Sequence, residues 1–239
     1  MVQRVRIRFA KRGRLRFTSH RDFARAFERA LRRAEVPMAY SAGFTPHPKI
    51  SYVGAAPTGV ASEAEYVEIG LARPVEPEAV RTALDAALPD GLDVVEAVMA
   101  GPGTLAERME ASRWRIELPG TDPAAAGEAV TAFLARPEVG VERLTKSGRR
   151  TVDVRGPVVW MRASAGGDPG DERRAIIETV VRQATPAVRP DDVIAALQTV
   201  AGLAPGAPYL AARVAQGPLD AAGAIGDPLA ADRAATTTA

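Results

Sequence analysis

The chain has 239 residues, of which 46% are hydrophobic and 25% are charged, with a formal net charge of +2, two histidines and no cysteine. A chain of this length can bury about 70% of its unfolded surface, and this composition is typical of a folded protein. The lack of cysteine excludes disulfides, thiolate zinc sites and iron–sulfur clusters held by the protein. No apolar run approaches the ~20 residues that span a bilayer. We expect a cytoplasmic protein with no membrane contact and no cofactor.

Arginine and apolar residues alternate at the start of the chain. This period of two predicts a half-buried strand over residues 4–9, with one polar and one apolar face. The polar face carries Arg4, Arg6 and Arg8, and the apolar face carries Val5, Ile7 and Phe9. We therefore expect the three arginines to face solvent.

A helix is predicted from residue 20 to about residue 35, after a turn at 11–14 and a short extended piece at 15–17. Ser19 and Asp22 fit a capping box, in which the serine caps the helix and the acid lies near its positive end. At about 100° per residue the apolar residues form one stripe, namely Phe23, Phe27, Ala30, Leu31 and Ala34. The opposite face carries Arg21, Arg25, Arg29 and Arg32.

The next segments complete one domain. Residues 38–54 indicate an extended stretch interrupted at 43–49, and residues 65–71 alternate as a strand. A helix over 76–88 and a strand over 92–99 follow. The order strand, helix, strand, strand, helix, strand is that of the split βαβ pattern of ferredoxin-like domains.

The second half repeats this order, so we predict an α+β protein with a tandem of two ferredoxin-like domains and antiparallel sheets. Strands are expected at 114–118, at 152–154 with 158–162 as a hairpin, at 174–181 and at 209–215. Helices are expected at 123–135 and 190–201. The predicted domains are 1–100 and 113–216, with a partly helical linker at 101–112. Residues 217–239 are rich in Ala, Gly, Pro and Thr, which favours a disordered tail.

Charge is concentrated in one segment. The first fifty residues hold thirteen of the thirty-one Lys and Arg and three of the twenty-nine Asp and Glu, so they carry +10 and the rest of the chain carries −8. Such a field selects anionic partners, although a run of cations is often only a solvated surface. A polyphosphate suits cations spread over a strand, a turn and a helix. Membrane phospholipid is less suitable, because the other helix face is committed to the core.

We therefore predict an RNA-binding surface in the first fifty residues. Its members are Arg4, Arg6, Arg8, Lys11, Arg16, Arg25, Arg29, Arg32, Tyr40, Phe44, His47 and Lys49. The arginines would contact phosphates, Tyr40 and Phe44 could stack on a base, and His47 with Lys49 would clamp the ligand. His20 and His47 are also candidates for proton transfer near neutral pH. Contact with a ligand and a purely structural role stay open for both.

The run of motifs up to residue 66 resembles a known family. The pattern contains Leu-Arg-Phe-x-Ser-His-x-Asp, a helix with Arg-Ala-x-Arg-Arg-Ala, a loop Tyr-Ser-x-Gly-Phe-x-Pro-His-Pro-Lys, and Gly-x-x-Ser-Glu-x-Glu-Tyr. The chain matches it at Leu15 to Asp22, at Arg29 to Ala34, at Tyr40 to Lys49 and at Gly59 to Tyr66, with Arg21 where Leu is common and Thr45 where Asn is common. It resembles the radical-SAM-linked proteins, which occur fused to or encoded beside radical SAM enzymes. The resemblance implies an accessory partner of such an enzyme, because this chain lacks the cysteines of the cluster motif.

The leading hypothesis is a non-catalytic RNA-binding accessory protein that presents substrate to a partner radical SAM enzyme in tRNA or rRNA modification. A second resemblance, in architecture and in His20, is to the tandem ferredoxin-like ribonucleases that process CRISPR repeats. It keeps a metal-independent endoribonuclease using His20 or His47 open. A pure protein–protein adaptor, whose arginines dock an acidic partner, is the third hypothesis.

Overall fold

The structure is a computed structural model, and it describes residues 1–145, 148–166 and 173–237. The helices and strands of these ranges follow in chain order. They are β1 (Gln3–Lys11), α1 (His20–Arg33), β2 (Ile50–Val53), β3 (Ala61–Leu71), α2 (Pro77–Ala87), β4 (Leu92–Met99), β5 (Ala111–Pro119), α3 (Pro123–Leu134), β6 (Gly140–Thr145), β7 (Gly148–Asp153), β8 (Val158–Ala165), β9 (Arg174–Arg182), α4 (Pro190–Ala201), β10 (Leu210–Gly217) and α5 (Ala230–Thr237).

The chain divides into two compact units. The first unit comprises Met1–Met109 together with Asp227–Ala239, and the second comprises Glu110–Gly226. The second unit is therefore inserted into the first, since the chain returns to the first unit after residue 226. The sequence-based division into consecutive domains does not include this return.

The sheet of the first unit has the strand order β4–β1–β3–β2, and each neighbouring pair is antiparallel. Ile7 of β1 lies opposite Val67 of β3 and Ala97 of β4. The apolar face of β1 packs with buried side chains of α1 and α2 in one core, which includes Phe27 and Leu84. The predicted strands at 4–9, 65–71 and 92–99 and the helix at 76–88 are confirmed, with ends that differ by at most four residues.

Helix α1 forms as its sequence predicts. Ser19 is the N-cap, and its Oγ accepts a hydrogen bond from the backbone N–H of Asp22 at 3.2 Å. Phe23 and Phe27 are buried, and the Phe23 ring stacks on that of Phe9 with centroids 4.5 Å apart. The predicted inward stripe is confirmed. A face of this kind stabilises the helix chiefly through its packing.

The segment before α1 is helical rather than extended. Residues Gly13–Phe17 form a 3-10 helix, so the predicted extended piece at 15–17 is wrong. Gly13 has a φ of 54°, which glycine adopts at little cost. The N–H of Leu15 then donates to the carbonyl of Arg12 at 3.0 Å, and this local bond forms a helical turn in place of the expected extended piece.

The predicted disordered tail is wrong for residues 217–237, and residues 238–239 lie outside the described ranges. Residue 217 ends β10, and Ala230–Thr237 form α5 of the first unit. Leu229 is buried with Leu105 and Met109, and Asp232 is buried in an ion-pair network. The buried side chains of Leu229 and Asp232 therefore fix a segment whose composition alone favours disorder.

The sheet of the second unit has the order β10–β5–β9–β8, again with antiparallel neighbours. Helices α3 and α4 bury apolar residues such as Phe133 and Leu197. The predicted hairpin between 152–154 and 158–162 is wrong, because β7 pairs with β6 and β8 pairs with β9. The charged sequence of β6 gives no clear alternation, so its pairing was not predicted.

The protein is thus an α+β protein, as predicted, with antiparallel pairing inside each unit. The predicted linker at 101–112 contains only a short 3-10 helix, Ala106–Arg108, and β5 begins at Ala111. In the described ranges no helix is long and apolar enough to cross a membrane.

Candidate nucleic-acid interface

The cations of β1 form hydrogen bonds and ion pairs with other groups of the protein. Arg6 is fully buried, and its Nε donates to Glu68 Oε2 at 2.8 Å. Its Nη1 donates to Asp232 Oδ1 at 2.6 Å and its Nη2 to the carbonyl of Gly103 at 2.6 Å. A phosphate could reach Arg6 only if this network opened.

Asp232 receives hydrogen bonds from several sides. Arg108 Nη1 donates to Asp232 Oδ2 at 2.7 Å, and the N–H of Gly101 donates to Oδ1 at 2.8 Å. Burial acts to raise the pKa of Asp232, but the bonds from Arg6, Arg108 and Gly101 outweigh it and hold this pKa below its ordinary value. The carboxylate therefore stays charged against two guanidinium groups.

The other cations of this strand also have intramolecular acceptors. Arg4 Nη1 lies 3.1 Å from Glu68 Oε1, and Arg8 Nε donates to the carbonyl of Glu63 at 2.9 Å. Lys11 is buried, with Nζ 3.4 Å from the carbonyl oxygen of Ala56. The prediction that β1 presents an exposed arginine face is wrong for Arg6, which is buried, while Arg4 and Arg8 are half-buried. The acceptors on the polar side of the strand come from β3, from α5 and from the chain around residue 103.

Four arginines of α1, unlike those of β1, face solvent. Arg21, Arg25, Arg29 and Arg32 are exposed, and none of the four forms an ion pair within the part of the chain that the structure describes. We call these four residues the arginine stripe. Arg16, just before the helix, is half-buried, with its guanidinium 4.6 Å from the centroid of the Phe17 ring. The free positive charge of this segment therefore lies mainly on α1.

The arginine stripe has a regular spacing. Its members are separated by four, four and three residues, so they lie within about 80° of one another around the helix, at about 100° per residue. At a rise of ~1.5 Å per residue they extend over about 16 Å of the helix axis. A line of this length can contact several phosphates of one strand, whereas a single small anion could use only one or two of its arginines.

A hairpin leads from α1 to β2. Tyr40 pairs with Pro48 in an isolated bridge, and the N–H of Ser41 donates to the carbonyl of His47 at 2.8 Å. The N–H of His47 in turn donates to Ser41 Oγ at 3.0 Å. We call residues 40–48 the aromatic hairpin. These bonds and its two prolines restrict the backbone that presents its side chains.

The side chains of the aromatic hairpin face solvent. Phe44 near the tip is fully exposed, and Tyr40 is 51% exposed. His47 and the following Lys49 are exposed as well. Gly43 has a φ of 129°, a conformation that favours glycine and turns the chain just before Phe44. The predicted contacts Tyr40, Phe44, His47 and Lys49 are therefore all accessible to a ligand.

His20 lies at the first turn of α1, away from the aromatic hairpin in sequence. It is exposed, and its ring meets that of Tyr52 edge-on with centroids 5.0 Å apart. Both residues line a cavity of about 10 Å³ together with Glu65, which has room for about one water. A ligand would reach His20 from its exposed side, because this cavity cannot hold a nucleobase.

Two residues of this region are absent from the predicted RNA-binding set. Arg21 belongs to the arginine stripe, and its position four residues before Arg25 was a signal that could have included it. The Tyr52 hydroxyl is buried and has no hydrogen-bond partner among the described residues, and burial together with the charge of Glu28 raises the pKa of Tyr52. Nothing in the local sequence marks this hydroxyl, since its surroundings come from α1.

The described residues contain no group of three or more His, Asp or Glu side chains that could hold a metal ion.

Among the curated proteins, none matches this chain. Residues 4–190 match a family described as an uncharacterized protein conserved in bacteria, DUF2344. That match includes the whole of α1, the aromatic hairpin and most of the second unit. The chain therefore belongs to the DUF2344 family.

Proposed function

We propose that this protein binds RNA through the arginine stripe and the aromatic hairpin, and that it presents this RNA to a partner radical SAM enzyme in tRNA or rRNA modification. The observation that carries the proposal is the row of four exposed arginines on α1, for which the described ranges contain no carboxylate partner. Cations that are already paired contribute little to phosphate binding. Four unpaired cations in a row supply the electrostatic part of nucleic-acid affinity.

The aromatic hairpin supports RNA over other polyanions. Exposed aromatic side chains stack on bases, and exposed cations beside them bind the backbone. Phe44 and Tyr40 are the exposed aromatic residues of this region, and Lys49 is the exposed cation beside them. A lipid surface would instead call for an exposed apolar helix face, but the apolar face of α1 is buried in the core of the first unit.

The enzyme partner is proposed from the family resemblance of residues 15–66 and from the composition. The chain has no cysteine, so it cannot hold the iron–sulfur cluster of radical SAM chemistry itself. We place the function in the cytoplasm, where tRNA and rRNA are modified. In this role the chain binds the RNA, and the partner enzyme performs the chemistry.

The tandem ferredoxin-like arrangement is part of the same proposal. With the separate β6–β7 pair left out, the first strand of each unit lies between the last and the third, which gives the orders β4–β1–β3–β2 and β10–β5–β9–β8. Both orders fit the split βαβ pattern. The second unit differs by the added hairpin of β6 and β7.

Binding to a short single-stranded RNA at increasing salt tests the proposal. If four phosphates contact the arginine stripe, log affinity should fall against log salt with a slope of about −3. The double change Arg25→Gln with Arg29→Gln should reduce this slope by about 1.4. The matched control is Arg81→Gln with Arg162→Gln, because these arginines pair with Glu78 and Glu178 and the net charge changes equally. Binding that is insensitive to salt, or equally weakened by both pairs of changes, would contradict the proposal.

Affinity capture from native cells tests the partner. The enzyme should be retained together with RNA before nuclease treatment, and the RNA should contain its substrate. Capture of the enzyme without any RNA, unchanged by nuclease, would favour the adaptor hypothesis instead.

A metal-independent endoribonuclease remains the second candidate, and the position of His20 favours it. His20 is exposed directly before Arg21, so an RNA on the arginine stripe would pass within reach of an imidazole that could act as general base. Incubation of the protein with cellular RNA in chelator should then produce discrete cuts that His20→Ala abolishes. His47→Ala gives the same test for the histidine of the aromatic hairpin.

A further inference from the structure

We infer that the RNA is bound through an unpaired segment, with its phosphates along the arginine stripe and one of its bases stacked on Phe44. This inference rests on the proposed function. It adds that the protein discriminates single-stranded from double-stranded RNA, and it assigns this discrimination to one side chain.

Phe44 is presented to solvent by a braced hairpin. Its side chain is fully exposed, so both faces of the ring are available. A single exposed apolar residue on a protein surface needs no special explanation. Phe44, however, lies in a hairpin closed by the bond from the Ser41 N–H to the His47 carbonyl and by the bridge of Tyr40 with Pro48. The ring is therefore held away from the surface by a braced backbone, and its ordering cost on binding is reduced.

An exposed aromatic ring of this kind suits a ligand whose bases are free to stack on it. In a duplex the faces of the bases are covered by their neighbours, and side chains meet the groove edges or the phosphates. In an unpaired segment a base can leave the stack and lie on an aromatic side chain. Phe44 should therefore stack on unpaired bases in preference to paired ones. Stacking of this kind does not depend on which base is present.

The arginine stripe and the aromatic hairpin are consecutive in the chain. The aromatic hairpin follows α1 in the chain and leads into β2, which lies at the edge of the first unit's sheet order. Lys49 is exposed at the end of the hairpin. The arginine stripe binds either form of RNA, because it contacts phosphates alone. The hairpin is therefore the part that separates the two forms.

The experiment compares a short RNA of mixed sequence with the duplex that it forms with its complement. The wild-type protein should bind the single strand more tightly. Phe44→Ala should weaken single-strand binding by roughly 5- to 150-fold, the range typical of one stacked base, and should leave duplex binding unchanged. Phe44→Trp should keep the preference, and its indole fluorescence should be quenched by the single strand but not by the duplex.

Leu144→Ala is the matched control, because Leu144 is an 81% exposed apolar residue of the β6–β7 hairpin in the second unit. It should change neither affinity. Equal affinities of the wild-type protein for the two RNAs, or an equal effect of Phe44→Ala on both, would overturn the inference while the proposed function stands. If the wild-type protein binds neither RNA at low salt, the proposed function fails and the inference fails with it.

Discussion

Arg6 and Asp232 lie 226 positions apart in the chain, and Arg6 Nη1 donates to Asp232 Oδ1 at 2.6 Å with neither side chain exposed to solvent. The first strand and the last helix are thus joined by a buried ion pair. Asp232 also accepts hydrogen bonds from Arg108 and from the N–H of Gly101. The C-terminal segment consequently completes the first unit and neutralises an arginine that would otherwise face solvent.

Asp232→Asn should destabilise the first unit strongly. Loss of the carboxylate charge leaves Arg6 buried without full compensation, and breaking a buried pair of this kind typically costs about 3–5 kcal/mol. Denaturant unfolding followed by far-UV circular dichroism measures the effect. Tryptophan fluorescence is unsuitable, because Trp114 and Trp160 both belong to the second unit. Glu78→Gln, which removes an exposed partner of Arg81, should leave the free energy of unfolding nearly unchanged.

The stability of the first unit should fall in acid. The pKa of Asp232 is lower in the folded protein than its ordinary value of 3.8, so its contribution to stability is fully present above that ordinary value. The contribution is lost as the pH falls through the lower pKa of the folded state. Urea unfolding between neutral pH and pH of about 3 should show this loss begin below pH 3.8. In Asp232→Asn the acid dependence should be smaller, and an unchanged dependence would contradict the assignment.

Leu229→Ala tests whether the segment after β10 is part of a core. Leu229 is fully buried with Leu105 and Met109, and truncation of a buried leucine costs about 2–5 kcal/mol. Leu210→Ala is the matched control, because Leu210 is 46% exposed. If both changes have the same small effect on the denaturation midpoint, residues 227–237 do not pack as described.

Tyr52→Phe should leave the protein as stable or stabilise it by about 1 kcal/mol, because it removes a buried hydroxyl for which the described part of the chain supplies no hydrogen-bond partner. Tyr40→Phe, at a 51% exposed site, should have almost no effect. Thermal unfolding of the two variants makes the comparison. A clear loss of stability in Tyr52→Phe would mean that the hydroxyl has a partner.

Local patterns in the sequence predicted most elements of the first unit. The alternation over 4–9 and the cap at Ser19 are short-range features, so β1 and α1 follow from them almost completely. The 3-10 helix at Gly13–Phe17 and the hairpin of β6 with β7 did not follow. The 3-10 helix depends on a turn at a glycine, and the hairpin depends on strand pairing. Neither feature produces a periodic pattern of apolar residues in the sequence.

The sequence by itself determined which residues are chemically able to bind an anion and on which elements they lie. Only the tertiary structure decided which of them are free. Arg6 and Arg25 both occupy the polar face of an amphipathic element, and local periodicity treats them alike. Arg6 is buried because Asp232 and Glu68 come from distant parts of the chain to pair with it, whereas Arg25 stays exposed on α1. Burial and charge pairing depend on such long-range contacts, and a local pattern carries no information about them.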